Sequence, residues 1–149
     1  MCNSNMLFSE TTDGAATVEH NKNVATELFA RFSANDIPGV LDLLTDDATW
    51  WIAGKPGLAP VSGVKTKAQM ARLFDNMFAQ LKSGLAMTVK GLVAEGDGVA
   101  AEVESYGELK SGRVYNQEYH TLITVRGNQI SAVKEYLDTH HVVATFFQT

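Results

Sequence analysis

The chain has 149 residues, of which 45% are hydrophobic and 19% are charged. This length and balance are typical of one globular domain with a core of its own. The formal net charge of −5 argues against a nucleic-acid-binding surface. A single cysteine, Cys2, cannot build a disulfide framework or a zinc cluster within one chain, so a reducing, cytoplasmic location is expected.

The first 17 residues contain neither the basic start and apolar run of a signal peptide nor a stretch that could span a membrane. They are predicted to form a flexible leader, followed by one domain over residues 18–149. No membrane association is expected.

The first half of the domain carries helical signals. Thr17 is a favourable N-cap for a first helix from about Val18 to Ala34, whose apolar residues recur at helical spacing. Asn35-Asp36 ends that helix and caps a second one. Thr66-Lys-Ala-Gln69 is a capping box that begins a third amphipathic helix, which Ser83-Gly84 ends.

Strand signals begin before the third helix and dominate the second half of the chain. A short strand is predicted at Ala48–Ala53 after a turn at Asp46-Asp47, and the Gly- and Pro-rich loop 54–63 is expected to cover a pocket mouth. The tail His140–Thr149 is expected to form a helical turn or a strand extension. Four antiparallel strands separated by tight turns are predicted at 85–95, 99–110, 114–126 and 129–138, which gives an α+β pattern.

A candidate acid–base site lies on the hairpin around Gly127-Asn128. Residues two apart in a strand share a face, so Glu135 lies beside Val133 and Leu137. A carboxylate between two apolar neighbours is half-buried, and burial raises a carboxyl pKa. His120 on the partner strand is predicted to be its hydrogen-bond partner. The alternatives are an ion pair for Glu135 and a core histidine bonded to a backbone carbonyl for His120.

The strand over residues 114–126 has no cleanly polar face, because Tyr119 and Ile123 lie on one side and His120 and Leu122 on the other. A sheet with one solvated face alternates more cleanly. We therefore expect helices on one face and a second subunit on the other, which predicts a homodimer through the outer sheet face.

Over about residues 18–147, the element order and three short motifs resemble the nuclear transport factor 2-like superfamily, and within it the SnoaL-like and ketosteroid isomerase-related branch. The motifs are Asp46-Asp47-Ala48-Thr49, Ser111-Gly-Arg-Val-Tyr-Asn116 and Lys134-Glu-Tyr-Leu-Asp138. The resemblance implies a cone-shaped, barrel-like fold, with N-terminal helices packed in a curved mixed or antiparallel sheet (a cystatin-like roll). It also implies an enclosed pocket for a hydrophobic small molecule and chemistry without a cofactor.

The resemblance also implies which residues face that pocket. Glu135 and His120 are the expected acid–base pair. Three of the other expected pocket residues, Glu102, Glu104 and Glu118, are carboxylates, which repel one another when they are buried together. Either they share protons in a functional pocket, or the face assignment is one residue off and they face solvent. The full set of other expected pocket residues is Trp50, Ile52, Glu102, Glu104, Tyr106, Glu118, Val133 and Leu137.

The chain departs from the family's known active sites. Ile52 stands where the resemblance puts the base aspartate of ketosteroid isomerases, and Leu28 stands at their oxyanion tyrosine, so steroid isomerisation by that mechanism is not expected. Glu102 replaces the arginine of limonene-epoxide hydrolases. Glu135 matches the acid–base carboxylate of SnoaL-like cyclases. His140-His141 has no further ligand cluster around it, so no metal site is expected.

Two functions therefore remain open. The first is a cofactor-independent enzyme that isomerises, cyclises or hydrates a hydrophobic substrate by acid–base chemistry. The second is a non-catalytic ligand-binding or dimeric interaction domain of the same fold, since one fold hosts many functions.

Overall fold

Helices pack on one face of a β-sheet, which is the α+β arrangement predicted from the sequence. The computed structural model of the protein describes residues 2–55, 57 and 59–148, without the side chains of residues 2–13, 15 and 16. The helices are α1 (Cys2–Ser33), α2 (Ile37–Leu43), α3 (Lys67–Ala79) and α4 (Thr139–Val142), followed by a π-helical turn (Val143–Phe147). The strands are β1 (Leu44–Ile52), β2 (Gly63–Thr66), β3 (Ala86–Glu95), β4 (Gly98–Glu108), β5 (Val114–Arg126) and β6 (Gln129–Leu137).

The six strands form one mixed sheet in the order β2-β1-β6-β5-β4-β3. β1 runs parallel to β6, whereas every other neighbouring pair is antiparallel. The predicted four-strand meander is confirmed as β3 to β6, and the parallel β1–β6 pair extends it. The sheet does not close on itself, so β2 and β3 are its edges.

The helix starts agree with the sequence signals in two cases out of three. Asp36 caps α2 by accepting a hydrogen bond of 2.9 Å from the backbone N–H of Gly39, and the capping box of Thr66 and Gln69 starts α3. The predicted start of α1 at Val18 is wrong, because α1 begins at Cys2 and no proline interrupts residues 2–16. The flexible leader over residues 1–17 and the domain over residues 18–149 stay predictions.

The first strand also begins earlier than predicted. Asp46 and Asp47 lie within β1 rather than in a turn, and both are exposed. The pairing of β1 with β6 shifts register between Leu44 and Thr49, so this irregular stretch can turn its acidic side chains to solvent. There Asp47 accepts a hydrogen bond of 3.1 Å from Nη1 of Arg126.

The core lies between the helices and the inner face of the sheet. Its centre is aromatic: the ring of Phe74 on α3 packs edge-on against Phe32 of α1 and Trp50 of β1, with centroids 5.3 and 5.6 Å apart. Such edge-to-face contacts add to the hydrophobic stabilisation of a core. Among the described residues, no helix combines the length and the hydropathy needed to cross a membrane.

The tail after β6 forms a helical turn, the first of the two predicted alternatives. Asp138 caps α4 by accepting a hydrogen bond of 3.0 Å from the N–H of His141. Nη1 of Arg113 lies 3.2, 3.3 and 2.7 Å from the carbonyl oxygens of Ala144, Thr145 and Gln148. The guanidinium therefore satisfies the carbonyls that a helix leaves without partners at its end.

Candidate active site

An apolar cavity lies between α1, α3 and the inner face of the sheet. It is open to solvent at its mouth. α1 contributes Leu28, Phe29 and Phe32, and α3 contributes a Met and Phe stripe that includes Met70 and Phe74. A cavity of this kind suits a hydrophobic small molecule, with few polar groups to orient it.

Glu135 is the one carboxylate that lines this cavity among the described residues. It lies on β6 opposite Thr121 of β5 and beside Ile52 of β1. Oε2 accepts a hydrogen bond of 3.2 Å from Nε1 of Trp50. Oε1 has no hydrogen-bond partner among the described residues. Every fully buried side-chain oxygen in that part of the chain has a partner, so Oε1 is not fully buried and is accessible from the cavity.

Burial sets the protonation of Glu135. Removing the carboxylate from water raises its pKa from 4.5 to about 7, and the hydrogen bond from Trp50 opposes part of that rise. A carboxyl with such a pKa is present in both protonation states near neutrality. It can therefore accept a proton from a bound molecule and return it.

Two tyrosines of β5 share the wall of the cavity with Glu135. Oη of Tyr119 lies 3.0 Å from Oγ of Ser105 and 3.3 Å from Oη of Tyr115. Burial raises the pKa of both phenols, and the nearby carboxylate of Glu135 raises it further. Both tyrosines are therefore neutral hydrogen-bond donors at neutral pH.

The predicted pairing of His120 with Glu135 is wrong. His120 is exposed on the outer face of the sheet, opposite Tyr136. The reason is a β-bulge at Ser131. Val125 pairs with Ile130 next to the turn, but Thr124 then pairs with Ala132. The extra residue moves the register by one, which places Thr121 and not His120 opposite Glu135.

The expected inward direction of Glu102, Glu104, Tyr106 and Glu118 is also wrong. All four lie on the outer face, because the buried residues of β4 and β5 are their odd-numbered neighbours. Nζ of Lys90 lies 3.4 Å from Glu104 and 3.3 Å from Glu118. A hydrogen bond from Asn116 and the charge of Lys90 lower the pKa of Glu104. The alternative that these carboxylates face solvent is confirmed.

Four other expected pocket residues do line the cavity: Trp50, Ile52, Val133 and Leu137. Trp50 is only 4% exposed and holds Glu135 through its indole N–H. Of the expected acid–base pair, Glu135 alone lies at the cavity.

The family model of the SnoaL-like domain matches residues 25–133 of the chain. The protein belongs to the SnoaL-like domain family. Its α+β cone is the nuclear transport factor 2-like fold that the motifs indicated. A search of curated proteins found no match.

Several solved structures with the same fold align with most of this chain. An NTF2-like protein of Burkholderia xenovorans LB400 is 23% identical over 87% of this chain and 97% of its own, with a TM-score of 0.64. TerC, co-crystallised with polyporic acid, is 18% identical over 87% of this chain and 99% of its own, with a TM-score of 0.72. A hypothetical protein with a ketosteroid isomerase-like fold from Catenulispora acidiphila DSM 44928, in complex with trimethylamine, is 18% identical over 85% of this chain and 93% of its own, with a TM-score of 0.68.

Five inward polar residues of this SnoaL-like domain were not predicted as site residues from the sequence: Ser105, Tyr115, Gln117, Tyr119 and Thr121, all buried. Charge alternation was the signal that could have found them. The even-numbered positions of β4 carry Glu102, Glu104 and Glu108, whereas the odd-numbered ones carry no charge. Within the described part of the chain, no group of three His, Cys, Asp or Glu is placed to hold a metal ion.

Proposed function

We propose that the protein is a cofactor-independent enzyme that moves a proton on a hydrophobic small molecule, with Glu135 as the acid–base group. The observation that carries the proposal is that Oε1 of Glu135, which has no partner among the described residues, faces a predominantly apolar cavity. The pKa of about 7 lets one side chain serve as base and then as acid. His120 has no part in this proposal.

The reaction class is isomerisation, cyclisation or hydration. In an isomerisation, the Glu135 carboxylate takes a proton from one carbon of the substrate, so that a C–H bond breaks and an O–H bond forms. The electron pair of the broken C–H bond forms a C=C bond, so that negative charge develops on the neighbouring carbonyl oxygen of the substrate. Glu135 then returns the proton to another carbon of the same delocalised system, and the carbonyl re-forms. The enzyme ends as it began, and no oxidant or reductant is needed.

Deuterium exchange tests this proposal without knowledge of the natural substrate. A panel of apolar ketones is incubated with the protein in D2O, and NMR follows the replacement of C–H by C–D next to the carbonyl. We expect exchange with the unmodified protein and a loss of about 100-fold or more in Glu135→Gln, in line with general base catalysis. Glu118→Gln is the matched control, because Glu118 is an exposed carboxylate on the outer face. Equal exchange in Glu135→Gln would remove Glu135 from the mechanism.

A second candidate function is ligand binding without catalysis. Ile52 and Leu28 both line the cavity, and they stand where related isomerases are expected to carry a base and an oxyanion donor. Tight binding of several panel compounds, with no exchange and no turnover of any, would favour this function.

We also propose that the protein is a cytoplasmic homodimer that associates through the outer sheet face. One cross-strand row of that face runs across the whole sheet and is apolar except at Lys134. Its members include Val64, Leu122 and Val93, which are 66%, 44% and 73% exposed. The full row is Val64, Trp51, Lys134, Leu122, Ala100 and Val93.

The mass in solution tests the dimer. Light scattering at micromolar concentration should give twice the chain mass, and Leu122→Arg should give the monomer mass. Val114→Arg should stay dimeric, because Val114 is exposed on the same face but lies at the far end of β5. A monomer for the unmodified protein would contradict the proposal.

A further inference from the structure

Four buried side chains of β4 and β5 form one chain of hydrogen bonds at the wall of the cavity. Oγ of Ser105 lies 3.0 Å from Oη of Tyr119, which donates to Oη of Tyr115 over 3.3 Å. Nε2 of Gln117 also donates to Oη of Tyr115, over 3.3 Å. All four residues are at most 8% exposed. The direction of each hydrogen bond decides what this chain can offer to a ligand.

The amide of Gln117 has one possible orientation. Its Oε1 accepts hydrogen bonds from the N–H of Glu118 over 3.0 Å and from the N–H of Asp138 over 3.1 Å. Its Nε2 donates to the carbonyl oxygen of Asp138 over 2.9 Å and to Tyr115. These contacts use all the donors and acceptors of a primary amide. Tyr115 therefore accepts from Gln117 and cannot donate to it.

The remaining directions follow from the single proton of each hydroxyl. Tyr119 gives its proton to Tyr115, so Ser105 must donate to Tyr119. Tyr115 accepts from both Tyr119 and Gln117, which fills its two lone pairs. Its own proton is therefore still available. No described protein group accepts it, and Tyr115 lines the cavity.

We propose that Tyr115 donates this proton in a hydrogen bond to a ligand oxygen, and that the ligand is an apolar molecule with a carbonyl-type oxygen. The inference rests on the proposed function in taking the cavity as the ligand site. A carbonyl oxygen is the fitting partner, because it accepts hydrogen bonds and brings no donor that would compete. The donor and the carboxylate of Glu135 lie on the same inner face, since β5 and β6 are neighbours.

The Glu135 carboxylate and the Tyr115 hydroxyl supply the base and the hydrogen-bond donor that removal of a proton next to a carbonyl requires. When Glu135 takes a proton from the carbon next to the carbonyl, the C–H bond breaks and its electron pair forms a C=C bond. The negative charge then develops on the carbonyl oxygen, where a donor placed in advance in a dry site stabilises it. The proton returns from Glu135 to carbon, so the step balances without another reactant.

The infrared carbonyl band of bound acetophenone tests the proposal. A hydrogen bond to the oxygen lowers the stretching frequency, so the bound band should lie below that of acetophenone in hexane. Tyr115→Phe should still bind, about 2- to 10-fold more weakly as expected for one lost hydrogen bond, but with the band returned towards its hexane position. Tyr106→Phe is the matched control and should keep the lowered band, because Tyr106 is exposed on the outer face of the sheet. Circular dichroism establishes that each variant is folded.

Three results would separate the possible failures. An unchanged band in Tyr115→Phe, with binding retained, would overturn the role of Tyr115 and leave the proposed function standing. If the unmodified protein binds neither acetophenone nor 2-acetylnaphthalene, both the role of Tyr115 and the proposed function would be overturned. If Tyr115→Phe does not fold, the hydroxyl proton of Tyr115 in the unmodified protein decides by NMR. It should move downfield when acetophenone binds, and an unmoved resonance would overturn the proposal.

Discussion

The indole of Trp50 and the carboxylate of Glu135 are joined by a hydrogen bond of 3.2 Å between β1 and β6. The bond occupies one carboxylate oxygen and leaves the other open to the cavity. It also favours the charged form of Glu135, against the effect of burial. The parallel pairing of these strands, with Trp50 opposite Val133 and Ile52 opposite Glu135, brings the two side chains together.

Trp50→Phe should raise the pKa of Glu135. The substitution keeps an aromatic ring in the core but removes the N–H that stabilises the carboxylate. The midpoint of any pH-dependent exchange on a ketone should therefore move to higher pH. Phe74→Leu is a control that alters the same aromatic cluster without touching the carboxylate. An unmoved midpoint in Trp50→Phe would mean that the indole does not tune Glu135.

The stability of the protein should fall as pH rises from about 4.5 to about 7 through the contribution of Glu135. Its pKa in the folded state, about 7, lies above the ordinary value of 4.5. Between those values the folded state binds more protons than the unfolded state, so unfolding becomes easier as pH rises. The full effect is at most about 3 kcal/mol, at 1.36 kcal/mol per unit.

Urea unfolding of the unmodified protein and of Glu135→Gln, at pH 4.5 and pH 8, measures this contribution. The variant removes the ionisation and keeps the other titrating groups. The unmodified protein should lose more stability than Glu135→Gln over the interval. Parallel curves for the two proteins would show that Glu135 does not titrate with a raised pKa.

Gln117→Leu should lower the free energy of unfolding by about 3 kcal/mol. The substitution leaves the N–H and C=O of Asp138 and the N–H of Glu118 without their side-chain partner, and buried unpaired groups are costly. Gln80→Leu is the matched control, because Gln80 bonds only locally with its side chain, to Asn76. Thermal and urea unfolding measure both variants. Equal losses would contradict the structural role of Gln117.

Arg113→Met should loosen the C-terminal turn at a cost of about 1 kcal/mol, because three carbonyl oxygens lose a charged donor. Hydrogen exchange should quicken at residues 143–147 more than in β5. Arg72→Met, at an exposed position on α3, is the control. Unchanged protection at residues 143–147 would show that the guanidinium does not hold the turn.

The sequence predicted the helices and the meander because their signals are local. The capping box at Thr66 and the apolar spacing of α3 need no tertiary information. Glu135 was found for the same reason, since its neighbours Val133 and Leu137 show that its face is apolar. Strand β2 was missed because four residues between a Gly- and Pro-rich loop and a helix carry no usable periodicity.

The rest of the site depends on register, which no local pattern shows. The bulge at Ser131 changes which residue of β5 faces Glu135. A shift of one residue in the strand register moves every side chain to the other face. The prediction therefore placed His120 at the cavity, where the structure has Thr121. The family resemblance placed Glu102 and Glu104 on the inner face of the sheet, whereas their charges indicated that they lie on the solvent-exposed face.

The carboxyl carbon of Glu135, followed by 13C NMR as pH is varied, tests the central claim most directly. Glu135→Gln assigns the resonance. We expect an inflection near pH 7 and a change in that inflection when acetophenone occupies the cavity. An inflection near the ordinary value of 4.5 that does not respond to the ligand would show a solvated carboxylate, and would contradict Glu135 as the acid–base group of the cavity.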